Sequence, residues 1–190
     1  MALVLDATLA GETSNSYVDL TTALQIAVML PGGSDWIASV PEDEKNMSLI
    51  QATRWLETLD YRGDRCTGTQ RLKWPRQGAE CDGITSTCAD IPYAIQEAQV
   101  ALAVKYTETP ASFPGAGGGS SAPTGTYVKR QKIDVLEIEY DEFNSPESSS
   151  CDSCGDPAII QAFPWLRDIL SCWVTGIATG DNKMIRLYRN

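Results

Sequence analysis

With 190 residues and 43% apolar content, the chain has enough apolar side chain for a real core and is no disordered polymer. Its formal charge of −10 sets a repulsive field against nucleic acid, and the lack of any histidine removes the commonest acid–base and metal-binding side chain. No apolar run reaches the length of a membrane span, and the opening Met1-Ala2-Leu3-Val4-Leu5-Asp6 lacks the basic start of a signal peptide, so a cytosolic chain is expected.

Met1 to Leu9 carries Leu3, Val4, Leu5 and Leu9 with few polar breaks, which suits a short strand or a docked arm. Asp19 reads as the N-cap of a first helix whose Leu20, Leu24, Ala27, Val28 and Leu30 face one side. Pro31-Gly32-Gly33 stops it, and Ser34 to Val40, with Trp36 and Ile37, reads as a connection folded back on the core. Pro41 and the acids Glu42, Asp43 and Glu44 suit a first helical turn, where free N–H groups favour carboxylates. From Glu42 to Leu59, Leu49, Ala52, Leu56 and Leu59 recur at helical spacing, widened by Met47, Ile50 and Trp55. Tyr61 to Ala89 is aperiodic, with glycines at 63, 68, 78 and 83 marking reversals, and holds the dense turn Leu72-Lys73-Trp74-Pro75-Arg76-Gln77-Gly78. Within it Trp74 is expected to lid the core, with Arg76 stacked or paired to an acidic helix side chain. Ile91 to Tyr106 is the next clear helix, opened by Pro92, its alanines allowing close approach to a neighbour.

Composition shifts at residues 109–125, a Pro/Gly/Ser stretch with the makeup of a flexible linker. Residues 126–143 read as a β-hairpin turning near Asp134 and Val135, with Leu136, Ile138 and Tyr140 alternating against Glu137, Glu139 and Asp141. After a polar loop, Pro157 opens a last helix rich in apolar residues that Pro164 should kink or restart. Met184 to Asn190 alternates like an edge strand. The fold class is therefore mainly α. A bundle of three to four helices fills residues 1–108, followed by the linker, the inserted hairpin, and residues 144–190 with a cysteine-containing loop, last helix and strand-like tail.

Cys66, Cys81, Cys88, Cys151, Cys154 and Cys172 are expected to be thiols in a reducing compartment. Cys151-Asp-Ser-Cys154 has half-zinc-site spacing, and Cys81 with Cys88 could complete a structural zinc if the loops met. Catalysis needs a nucleophile beside a base, a tuned carboxylate pair or a metal cluster, and none is legible; the glycines at 115–119 lack the lysine and helix of a phosphate loop. No enzyme activity and no cofactor are expected.

Asn15-Ser16-Tyr17-Val18, Trp36, Gln51-Ala52-Thr53-Arg54-Trp55-Leu56-Glu57, Thr69-Gln70 with Leu72 to Gly78, Ile91-Pro92, Leu136-Glu137-Ile138-Glu139-Tyr140 and Ile185-Arg186-Leu187 occur in an order that resembles the bacteriophage head-tail adaptor (head completion or neck) proteins, often labelled DnaT-like single-stranded-DNA-binding proteins. The resemblance implies a dodecameric ring in the virion neck, docked below the portal protein, bound to a tail protein, and passing packaged double-stranded DNA without gripping it. It implies an oligomer or portal interface through Trp74, Arg76, Leu136, Ile138, Tyr140, Ile185, Arg186, Leu187 and Tyr188, and a channel lining of Glu137, Glu139 and Asp141. The alternatives are a single-stranded-DNA binder, for which only Arg71, Lys73, Trp74 and Arg76 cluster suitably, and a zinc-stapled module using Cys81, Cys88, Cys151 and Cys154.

Overall fold

The computed structural model describes residues 4–113, 130–133, 136–139 and 157–176. Asp19 caps α1 (Leu20–Ala27), its carboxylate accepting the Thr22 N–H at 2.8 Å. The chain then reverses at Gly32, in the left-handed region at φ 77°, while a Cβ on Gly33 would collide with the Ala27 carbonyl. That close approach starts α2 (Gly33–Ser39) at once, so the stretch around Trp36 is a helix and not the irregular connection expected from sequence. Two turns are too short to show periodicity, yet they suffice to bury Trp36.

Acidic first-turn residues open α3 (Glu42–Leu56), which buries Leu49, Ala52, Thr53 and Leu56 at helical spacing. Its partner is α4 (Tyr93–Glu108), and these two form the central pair. The fully buried Ala52 and Ala98 keep the side chains short there. Besides Ile95, Ala98 and Leu102, α4 also buries Val100, Ala103 and Val104, because α1, α2 and a C-terminal helix cover its remaining sides.

Between α3 and α4 the backbone makes only two-residue antiparallel pairs. β1 (Asp64–Arg65) joins β2 (Arg76–Gln77), and β3 (Glu80–Cys81) joins β4 (Ile84–Thr85). Covalent bridges do what strands do not. Cys66 is bonded to Cys88 and Cys81 to Cys172, with Cα separations of 5.6 and 5.4 Å. The expectation of six thiols is thereby corrected for these four. The thiol expectation rests on compartment, whereas the fold closes the loop on itself at Cys66–Cys88 and sets it against the C-terminal segment at Cys81–Cys172.

Thr109 to Ser112 turns through a short 3₁₀ segment and delivers Phe113 into the core, 5.3 Å from the Tyr106 ring and 4.6 Å from that of Phe163. This part of the expected linker is packed; residues 114–125 lie outside the described residues. β5 (Arg130–Ile133) and β6 (Leu136–Glu139) form the expected antiparallel hairpin around positions 134 and 135. The last helical stretch divides into α5 (Ala158–Ala162) and α6 (Trp165–Leu170), so Pro164 marks a restart. Residues 4–9 form a docked arm and not a strand. Asn15 accepts the Asp6 N–H at 2.8 Å and donates to the Val4 carbonyl at 2.9 Å. No helix among the described residues is long and apolar enough to cross a membrane. The architecture is mainly helical.

Candidate functional site

The turn at Leu72 to Gly78 is built from the inside. Trp74 is 1% exposed and meets Tyr61 and Trp173 edge-on, with ring centroids 5.6 and 5.8 Å away. The Trp74–Pro75 peptide is cis, and Gln70 spans the turn by donating to the Leu72 and Pro75 carbonyls at 2.9 and 3.0 Å. Arg76 donates from Nε to the Arg62 carbonyl at 2.8 Å and from Nη2 to the Gly63 carbonyl. It therefore closes a backbone turn and does not pair with a helix carboxylate. Burial, with Arg65 nearby, lowers its pKa. Lys73 donates from Nζ to the Leu59 carbonyl at 2.6 Å and pairs with Asp60 at 3.3 Å.

Beside this turn lies a second polar knot. Glu57 Oε1 accepts the Lys73 N–H at 2.7 Å and the Tyr17 hydroxyl. Burial, followed by neighbouring Tyr61 and Glu57, pushes the Tyr17 hydroxyl pKa well up; burial and then Glu57 do the same for Tyr61, whose hydroxyl donates to the Leu56 carbonyl at 3.0 Å. Deeper still, the fully buried Gln99 on α4 accepts the Tyr17 N–H at 3.2 Å and donates to Ser16 Oγ at 2.7 Å and the Leu49 carbonyl at 3.1 Å. It ties the N-terminal segment to both central helices.

On the surface above Glu57 opens a cleft of ≈ 330 Å³ between the C-terminal half of α3 and residues 71–72, with Asn15 at one side. Ile50, Thr53 and Leu72 line it as buried residues, while Arg54 and Arg71 are exposed. Arg71 donates to the Thr13 carbonyl at 3.2 Å and Arg54 to Gln51 Oε1 at 3.5 Å. Sequence reading missed this cleft. Arg54 had only its position off the apolar face of α3 to signal it, and nothing in the order of residues places Arg71 beside it.

Of the residues expected at an interface, Trp74 and Arg76 are spent within the fold. Leu136, Glu137, Ile138 and Glu139 lie on β6, whose register sets Lys132 opposite Glu137 and Arg130 opposite Glu139. That register places a basic position opposite each acidic one, which reading one strand alone could not show. Tyr140, Asp141, Ile185, Arg186, Leu187 and Tyr188 lie outside the described residues. So do Cys151 and Cys154; the zinc set is broken at its other half, because Cys81 and Cys88 belong to two different disulfides. The donor atoms of Cys81, Asp82 and Cys172 cluster within 4.8 Å, but the two sulfurs are bonded to each other and hold no lone site for a metal. The single-stranded-DNA cluster also does not assemble as a surface, because Trp74 is inside.

Residues 1–189 match the model of the family described as "Putative DnaT-like ssDNA binding protein". The chain belongs to this family. No curated protein and no solved structure matches it. The family description speaks of single-stranded DNA and not of a virion, so the narrower assignment to a head-tail adaptor is a proposal.

Proposed function

We propose that this family member is a structural wall segment, a head-tail adaptor that assembles as a dodecameric ring beneath a phage portal, extends the DNA channel and offers a docking site to the tail. The observation that carries this reading is the inward use of the Trp74 turn. Its aromatic is sealed in the core and its cations bind backbone carbonyls, which makes a rigid block and leaves no stacking platform for a base. The net charge of −10 suits a part that passes DNA without gripping it. The ordered motif set resembling adaptor proteins supplies the rest of the support. No catalytic role is proposed.

The second reading is single-stranded-DNA binding, which the family description favours more directly than it does an adaptor. Its candidate phosphate contacts in this chain are Arg54 and Arg71. Two measurements separate the readings. A labelled oligothymidylate in fluorescence anisotropy should show little binding at low salt if the adaptor reading holds; tight binding that weakens steeply as salt rises overturns it. Electron microscopy of the full chain mixed with a portal from a phage encoding it should show rings on the portal, and an undecorated portal counts against the adaptor.

A further inference from the structure

We propose that the Arg54–Arg71 cleft receives the acidic first turn of α3 from a second copy of the chain. This deepens the ring reading and rests on it. Within the cleft the two guanidinium groups face solvent over an apolar floor of Ile50 and Leu72. Neither reaches a carboxylate at ion-pair distance among the described residues, in a chain with 25 acidic and 15 basic side chains. Glu57, the acid within the lining, already accepts the Tyr17 hydroxyl and the Lys73 N–H. Asp6 lies near enough for Arg71 to help lower its pKa, but neither guanidinium group is closed into an ion pair, so the cleft keeps positive charge that a further carboxylate can meet directly.

The complementary surface lies at the other end of the same helix. Glu42, Asp43 and Glu44 are exposed and make no ion pair among the described residues, and Met47, one turn beyond Asp43, is 49% exposed. Carboxylates next to a thioether match guanidinium groups above an apolar floor. Asp43 and Arg54 are about 16 Å apart along α3 at the helical rise, so one copy cannot satisfy itself. A contact joining opposite ends of one helix leaves every copy with one cleft and one acidic turn to offer. That is the heterologous geometry from which rings close. A nucleic-acid strand is the poorer occupant, because no aromatic side chain lines the cleft.

Sedimentation velocity on the full chain, alone and with the portal, tests the contact. Wild type should self-associate, and both the Arg54→Glu/Arg71→Glu and the Asp43→Lys/Glu44→Lys variants should associate about tenfold or more weakly. An equimolar mixture of the two variants should recover wild-type assembly, since each acidic cleft then meets a basic turn; misfolded variants could not do this. Undiminished association of either variant, or a mixture that fails to recover, overturns the contact while leaving the ring reading intact. Assembly that obeys the charge swap but stops at dimers keeps the contact and discards the ring. A wild type that associates with neither itself nor the portal removes both. Oligothymidylate binding by wild type that is lost in Arg54→Glu/Arg71→Glu makes the cleft a nucleic-acid site and overturns the proposal.

Discussion

The α3–α4 pair and the stretch from Tyr61 to Ala89 are neighbours held by different means. In the pair, backbone groups satisfy one another within each helix and the stabilisation comes from apolar faces closing on alanine-lined contacts, with Gln99 the largest fully buried polar side chain among the described residues. The loop stretch has four strands of two residues each and cannot satisfy its backbone that way. Its carbonyls are met by Gln70 and Arg76, Lys73 ties it back to the Leu59 carbonyl, its most deeply buried large side chain is Trp74, and two disulfides pin it. Irregular backbone can be as firmly placed as a helix, but only when long side chains and covalent links replace the ladder.

The sharpest way to break this contrast is Trp74→Ala, which should cost about 3–5 kcal/mol in urea unfolding, as much as a central helix residue would. A loss below about 1 kcal/mol would mean the turn is an ornament on the helices. Next in size are the bridges. Removing Cys81–Cys172 should cost about 1 kcal/mol more than removing Cys66–Cys88, since the bonded residues are 91 and 22 apart and loop-closure entropy grows with the logarithm of that span. Paired Cys→Ser variants compared by thermal unfolding check the order.

On the helical side, Gln99→Leu should cost about 1–3 kcal/mol by stranding the Tyr17 N–H, Ser16 hydroxyl and Leu49 carbonyl in the core. Equal stability would show that water reaches this node. The smallest effect is on pH. Tyr17 and Tyr61 have raised pKa values in the fold, so their contribution is complete below about pH 10 and is lost as pH rises beyond it. Asp6 is shifted the other way, lowered chiefly by the Thr8 and Thr13 hydroxyls, so its contribution is present above about pH 4 and disappears as pH falls through the folded value. Protection factors of the docked-arm amides, which normalise for the slower intrinsic exchange in acid, should fall on acidification in wild type and should be low already at neutral pH in Asp6→Asn.

The same contrast explains what was legible in the sequence. Asp19 as a cap, the periodic face of α3, Pro92 before α4 and the restart at Pro164 follow from local rules, and each appears where those rules put it. Trp36 reads as loop in the sequence because α2 is too short to repeat a pattern. Phe113 follows the motif of a linker in composition, yet its ring reaches Phe163, a contact no neighbouring residue announces. The pairing of Cys81 with Cys172 and the meeting of Arg54 with Arg71 depend on how distant segments return, and neither spacing nor charge encodes that directly.

The span of the Cys81–Cys172 bond also governs what a protease can release. If a cleavage site were engineered anywhere between residues 113 and 157, cutting it would sever the backbone yet leave the C-terminal helices tethered to the N-terminal part through sulfur. The two pieces should migrate as one band on a denaturing gel until a thiol is added. Under the adaptor role proposed above, such a cross-tie would let a broken chain go on bearing load.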